Sequence, residues 1–237
     1  RSAARHAPAP WNTTRGGRSA TGACDLAIAS AAFMNANTRD HRDARPGLRL
    51  MLRAMACNNA WANHRLLRAC ALLTSEEFAA PRTGFFPSLR ATLNHILTVD
   101  WFYVDAIERS LIGRPVNAEA ARFFEPAEPC GDCASLSAEQ HAVDTRLVAL
   151  CASLQEVDLE RVMSVPRSDR IQRERLDRLL AHLFQHQVHH RGQAHAMLSG
   201  TRIAPPQLDE FFAAEEAPLR ASDLAELGID ERWIWGL

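Results

Sequence analysis

Four long segments with apolar residues at helical spacing constrain the fold of this chain more than any other feature. The predicted helices span residues 48–73, 88–110, 137–154 and 173–198. Ser88 is predicted to start the second helix, and Ser137 with Gln140 matches a capping box at the start of the third. Alternating apolar patterns are almost absent, although short Val-containing pieces in residues 156–172 are compatible with a hairpin. We therefore predict an all-α four-helix bundle.

The two ends of the chain differ in composition from the segment that carries the four helices. Residues 1–18 are rich in Arg, Ala and Pro and contain no acidic residue, a composition that is also found in organellar transit peptides. We interpret residues 1–46 as a disordered or spurious N-terminal extension and exclude them from the fold prediction. The bundle is predicted over residues 47–212, and residues 213–237 are predicted to be a C-terminal extension with a short helix.

Composition excludes several classes of function. All 27 basic residues are Arg, so chemistry that needs a lysine, such as Schiff-base formation, is excluded. The net charge of −1 gives no electrostatic reason to bind nucleic acid or an anionic membrane. Six scattered cysteines are too few for a disulfide scaffold, and no apolar run is long enough to span a membrane. We expect a cytoplasmic protein with reduced thiols.

Histidines are concentrated in the fourth predicted helix. His186 and His190 are four residues apart, so they lie about 40° from each other on the side of the helix that carries its apolar stripe. Such a pair can place two imidazole nitrogens on one metal ion, and His95 in the second predicted helix is a candidate third ligand. The alternative is that these are core histidines whose ring nitrogens are satisfied by protein partners.

Three motifs together resemble the DinB family of metalloenzyme-like proteins. They are Asn58-Asn-Ala-Trp-Ala-Asn63, Thr92-Leu-Asn-His95 and His186-Gln-Val-His-His190-Arg-Gly-Gln193, and Pro205-Pro-Gln-Leu-Asp209 is similar to the family's tail. The resemblance covers about residues 48–212. It implies a four-helix bundle, often dimeric, with a divalent metal held by His95, His186 and His190. Some relatives transfer low-molecular-weight thiols to electrophiles.

Three further residues are predicted to support such a site. Asp100 is expected to orient a ligand histidine or to pair with Arg191, with an exposed carboxylate as the alternative. Gln193 is expected to hold water or substrate or to bond to the backbone. No residue is a convincing general base, and His189 is the nearest candidate. Cys130 and Cys133 form a CxxC without the second pair or the βαβ context that a zinc or redox site needs, so we interpret them as loop thiols.

The leading hypothesis is a metal-dependent enzyme that binds Zn, Ni or Fe and activates a thiol, as an S-transferase, or water, as a hydrolase. Its substrate would be a small molecule, with a low-molecular-weight thiol as one candidate. Its partner would be a second copy of the chain in a homodimer. The alternative hypothesis is a non-enzymatic metal-binding stress-response bundle that acts as a dimeric interaction module. Neither hypothesis involves nucleic acid or a membrane.

Overall fold

A computed structural model describes residues 47–237 and places four long helices in a bundle. These helices are α1 (Leu48–Cys70), α3 (Leu89–Leu111), α4 (Cys133–Ser153) and α5 (Leu176–Ser199). α1 and α3 each pack against both α4 and α5, so α1 and α3 occupy diagonal corners. The predicted all-α four-helix bundle is confirmed. The N-terminal extension predicted over residues 1–46 lies outside the described residues.

Shorter elements connect and flank the four long helices. They are α2 (Ser75–Ala79), 3-10 turns at Ala120–Phe124, Glu156–Glu160 and Ala214–Glu216, strands β1 (Val162–Pro166) and β2 (Ile171–Arg175), and helices α6 (Ala217–Glu226) and α7 (Glu231–Trp235). Within residues 47–237, no helix combines the length and the apolar character that crossing a membrane requires.

The third long helix begins earlier than the sequence pattern predicts. Asp132 is its N-cap, and its carboxylate accepts a hydrogen bond of 2.8 Å from the Ser135 backbone N–H. The predicted cap at Ser137 is therefore wrong, because Asp132 already satisfies the free amides one turn earlier. Gln140 is instead a buried residue in the body of α4. By contrast, Ser88 caps α3 as predicted.

The fourth long helix begins later than predicted, because residues 173–175 belong to a β-hairpin. β1 and β2 pair antiparallel, with Val162 opposite Arg175 and Pro166 opposite Ile171. Alternate residues of β1, Met163 and Val165, are buried in the bundle core against α3. The hairpin is thus a lid over the end of the bundle, anchored by one face of one strand.

α1 is buried on two sides, which explains why its apolar stripe is wide. Leu52 and Leu66 belong to the main core, whereas Ala54, Cys57 and Trp61 belong to a second apolar cluster on the outer side of the helix. Ala62 of α1 also belongs to that cluster, and its remaining buried members lie after α5: Phe211, Leu224 and Ile234. The segment predicted as an extension therefore packs on α1.

Buried ion pairs hold the C-terminal segment in place. Arg220 on α6 is fully buried and binds both carboxylate oxygens of Glu231 on α7, at 2.9 and 2.6 Å. Its Nη1 also donates to the backbone carbonyls of Glu210 and Ala213. Four hydrogen bonds to one guanidinium link α6, α7 and the loop that precedes them.

We predict that Arg220→Ala destabilises the protein far more than loss of an exposed ion pair. Removal of Arg220 leaves the partly buried Glu231 carboxylate and two backbone carbonyls without their donors, so the free energy of unfolding should fall by about 3 kcal/mol. Arg146→Ala is the matched control, since Arg146 forms an exposed pair with Glu108 and should contribute about 0.5 kcal/mol. Urea denaturation measures both. Equal losses would contradict the anchoring role of Arg220.

Candidate metal centre

Three histidines from two helices meet between α3 and α5. α3 supplies His95, and α5 supplies His186 and His190; one nitrogen of each ring lies within 4.8 Å of the other two. The Nε2 atoms of His95 and His186 are 3.1 Å apart. The ring centroid of His190 lies 4.7 Å from that of His95 and 4.4 Å from that of His186. The structure therefore brings together all three residues that the sequence predicts as metal ligands.

This donor set fits a divalent cation. Two imidazoles bound to one tetrahedral ion at about 2.0–2.1 Å would have their nitrogens about 3.3 Å apart, close to the spacing of His95 and His186. Two neutral nitrogens this close need a shared proton or a cation between their lone pairs. The Nδ1 atom of His186 is buried with no hydrogen-bond partner among the described residues, so the only protein partner of this ring is His95, through Nε2.

Burial keeps the three rings neutral. Desolvation lowers the pKa of His95 to about 4, and the neighbouring His190 adds to the effect. Desolvation, followed by His190 and His95, lowers the pKa of His186 to about 4. The pKa of His190 is also lowered by burial, although its hydrogen bond to Gln193 opposes the shift. Neutral imidazoles are the form that binds metal.

Gln193 fixes the orientation of His190. Its side-chain oxygen lies 3.1 Å from His190 Nδ1, and its Nε2 lies 2.9 Å from Nε2 of His189. An amide oxygen only accepts, so His190 carries its proton on Nδ1 and keeps the Nε2 lone pair free. Ligand histidines are commonly held by such a second hydrogen bond. Gln193 thus contacts the candidate metal centre through the side chain of His190.

Two aromatic residues from the loop before α3 cover the histidines. The Phe86 ring packs 4.4 Å from His95 and 5.6 Å from His190, and Phe85 lies 6.3 Å from His190 and is largely exposed. Gly84 lets this loop approach α5, because a Cβ there would collide with the Cε atom of Met197. The site therefore has an apolar wall next to its nitrogen donors.

A buried polar network lies in the bundle beside the histidines and links all four long helices. Its members are Asn59 and Asn63 on α1, Asp100 on α3, Gln140 and Asp144 on α4, and Gln187 and Arg191 on α5. The Nη1 atom of Arg191 donates to the amide oxygens of Asn59 and Asn63, and the amide nitrogens of both asparagines donate to Asp144. Gln140 donates to both carboxylates.

The network holds two carboxylates and one guanidinium away from water. Burial raises the pKa of Asp100 to about 7, and Asp144 adds to the rise, while Gln140, Gln187 and Arg191 oppose it. Burial also raises the pKa of Asp144 to about 6 against hydrogen bonds from Asn63 and Gln140, and it lowers the pKa of Arg191 to about 10. One positive charge for two acids favours retention of a proton by the carboxyl pair.

Asp100 and Arg191 occupy places that differ from the predicted ones. Asp100 accepts hydrogen bonds from Gln140 and Gln187. The predicted contact with a ligand histidine or with Arg191 is replaced by these amides, because Gln187 points inward beside His186 on α5. Asp100 and Arg191 therefore do not contact the histidine side chains directly, and they influence the histidines only through α3 and α5.

The CxxC thiols lie in an environment that keeps them protonated. Burial raises the pKa of Cys133 to about 11, and its Sγ donates to the Leu67 carbonyl at 3.5 Å. Burial also raises the pKa of Cys130, whose backbone N–H and carbonyl both bond to the Asn94 amide. Raised thiol pKa values disfavour redox or metal chemistry. Asn94, a residue next to His95, therefore anchors a loop.

The polar network and the aromatic wall are not among the features predicted from the sequence. The network had a readable signal, since Asn59 and Asn63, Gln140 and Asp144, and Gln187 and Arg191 are three polar pairs at i, i+4 spacing within helices. Such pairs on apolar helices indicate buried hydrogen bonding. The aromatic wall had no such signal, because Phe85 and Phe86 lie in an irregular loop.

Comparison with known proteins supplies one family. A family model described as the DinB family matches residues 47–224, which extends past the predicted bundle boundary at residue 212. No curated protein matches the chain. The predicted homodimer and the predicted cytoplasmic location stay predictions.

We predict that the buried histidines make the metal-free protein sensitive to acid. A histidine with a pKa near 6.5 unfolded and about 4 folded contributes stability that is complete above pH 6.5 and is lost as the pH falls through 4. Between pH 7 and 5, the lowered pKa values of His95 and His186 together should reduce the free energy of unfolding by about 2 kcal/mol, after allowance for solvent screening.

Urea unfolding at both pH values, with chelator present, tests this in the parent and in the His95→Leu, His186→Leu double variant. Asp100 and Asp144 titrate with the opposite sign, but they are present in both proteins and cancel in the comparison. The double variant should lose less stability on acidification. The same loss in both proteins would contradict histidine burial as the cause.

Proposed function

The chain belongs to the DinB family, and from this membership and the grouping of three histidines we propose that it is a metal-dependent enzyme. His95, His186 and His190 would hold a divalent ion, with positions left open for a reactant. The observation that carries the proposal is the convergence of three neutral imidazoles from two facing helices within 4.8 Å. Three protein ligands with open positions are typical of catalytic sites, whereas structural sites use four.

The proposed reaction is the transfer of a low-molecular-weight thiol to an electrophile. When bound, a divalent ion supplies Lewis acidity, which lowers the pKa of a thiol or of water so that a nucleophile is available near neutral pH. The thiol reading follows the family resemblance. Phe85 and Phe86 support it, since an apolar wall beside the donors suits an organic electrophile and excludes water.

The side chains of this protein have separable roles in that proposal. Burial keeps His95 and His186 uncharged, and Gln193 holds the proton of His190 on Nδ1. Phe86 restricts both His95 and His190 by packing on their rings. These groups preorganise the donors before a reactant arrives, which reduces the cost of assembling the site.

Arg167 is the proposed recognition group for an acidic thiol. It lies in the β1–β2 turn, its Nη2 donates to the Tyr103 hydroxyl at 2.9 Å, and its Nε donates to Gln172. The Tyr103 ring contacts His182, which in turn lies next to His186, with centroid distances of 5.6 and 6.5 Å. In this proposal, a thiol that binds at the histidines places its carboxylate on this guanidinium.

We predict that untagged protein carries divalent metal in near-stoichiometric amount, and that His186→Ala or His190→Ala lowers the metal content at least tenfold. Each loses one of three ligands. His182→Ala is the matched control, because His182 is an exposed histidine on the same helix and should leave the content unchanged. Elemental analysis after gel filtration measures it. Metal that persists in both ligand variants would exclude this site.

We predict that the loaded protein conjugates monochlorobimane with at least one biological thiol from a panel of cysteine, glutathione, coenzyme A and bacillithiol. Arg167→Gln should raise KM about tenfold for a carboxylated thiol and leave uncharged 2-mercaptoethanol unaffected, because only the former uses the guanidinium. Arg170→Gln, on the same turn and exposed, is the control. Bound metal without turnover of any thiol would contradict the transferase and favour a hydrolase or a binding module.

A further inference from the structure

A cavity of about 310 Å³ lies on the other side of α5 from the three histidines. α1 supplies Asn58 to its lining, α5 supplies Arg191 and Gly192, and the segment after α5 supplies Leu208 and Asp209. Gly192 follows His190 by two residues, about 200° around the helix, so the cavity faces away from the candidate metal centre. Its volume suits a small organic molecule.

Arg191 gives the cavity a buried positive group with unused donors. The residue is 5% exposed, yet it lines the cavity. Its two hydrogen bonds, to Asn59 and Asn63, both come from Nη1. A guanidinium carries five N–H donors, and residues 47–237 supply no acceptor to Nε or Nη2. A carboxylate is the planar acceptor that fits such a group.

Other polar groups of the cavity call for a donor. The Oδ1 atom of Asn58 is buried and has no partner among the described residues. Asp209, also in the lining, adds a negative charge. An ammonium group would satisfy both, since it donates three hydrogen bonds and carries a positive charge. Ala62, Val188 and Leu208 add apolar surface. His195 and Gln207 complete the lining, and the Gln207 amide donates one hydrogen bond to Asp209.

Gly192 leaves the backbone of α5 uncovered where it lines the cavity. It lies in the middle of α5, where glycine is a poor helix former, and a Cβ added there would meet nothing within 4 Å. Packing within residues 47–237 therefore does not require a glycine here.

We propose that this cavity binds a free α-amino acid with an apolar side chain. Its carboxylate pairs with Arg191, its ammonium group with Asp209 and Asn58, and its side chain packs against Val188 and Leu208. The site is separate from the metal centre and does not depend on the function proposed above. Every polar group that lacks a partner in the cavity then has one of the required charge.

The test is a titration of ¹⁵N-labelled, full-length protein with L-leucine, followed by NMR at the Gly192 amide and the Arg191 Nε–H. We expect saturable shifts with a Kd of about 1 mM or tighter. The controls are 4-methylpentanoate, which lacks the ammonium group, and 3-methylbutylamine, which lacks the carboxylate. Each should bind at least about tenfold more weakly. Absence of saturable binding, or equal binding of either control, overturns the proposal.

Two variants at Gly192 provide a matched pair that spares the buried network. Gly192→Met fills the cavity and should weaken L-leucine binding at least tenfold, whereas Gly192→Ala leaves most of the volume and should change it less than threefold. A Cβ at residue 192 meets nothing within 4 Å, so both variants should fold, and circular dichroism and metal content should match the parent. Undiminished binding by the Met variant overturns the proposal. Metal loss in a protein that still binds leucine would count against the proposed metal centre and not against the leucine site.

Discussion

The buried guanidinium of Arg191 is the constraint on which the rest of the bundle depends. A buried charge without a partner costs far more free energy than a typical surface contact contributes, so Arg191 must find partners on the surrounding helices. It finds them on α1, and through Asn59, Asn63 and Gln140 the hydrogen bonds continue to Asp144 on α4 and Asp100 on α3. A bundle packed only by apolar contacts could slide or rotate, whereas these hydrogen bonds form in a single register of the four helices.

The buried network around Arg191 also sets the positions of the three histidines. Along α5, each ligand candidate precedes a member of the network, His186 before Gln187 and His190 before Arg191. Successive residues lie about 100° apart around a helix, so one rotation of α5 aims both sets correctly. His95 lies on α3 together with Asp100, which accepts from Gln187. The network thereby fixes the distance between His95 and the two histidines of α5.

The sequence predicted those features that depend on periodicity within one helix. Helical spacing was enough to place His186 and His190 on the inner side of α5, and the position of His95 in a second apolar helix made it the candidate third ligand, which the family resemblance also implies. The start of α4 was missed because Ser137 imitates a cap that Asp132 already provides. The aromatic wall could not be predicted, because the path of an irregular loop depends on tertiary contacts, here the close approach of Gly84 to α5.

The enclosure of α1 on both sides has a consequence for how the polypeptide is made. Arg53 donates a hydrogen bond to the carbonyl of Ile234, 181 positions later in the chain. During vectorial synthesis, the outer side of α1 therefore leaves the ribosome long before the residues that cover it. Until those residues emerge, Trp61 and its neighbours form an exposed apolar surface, and a nascent-chain chaperone would bind there.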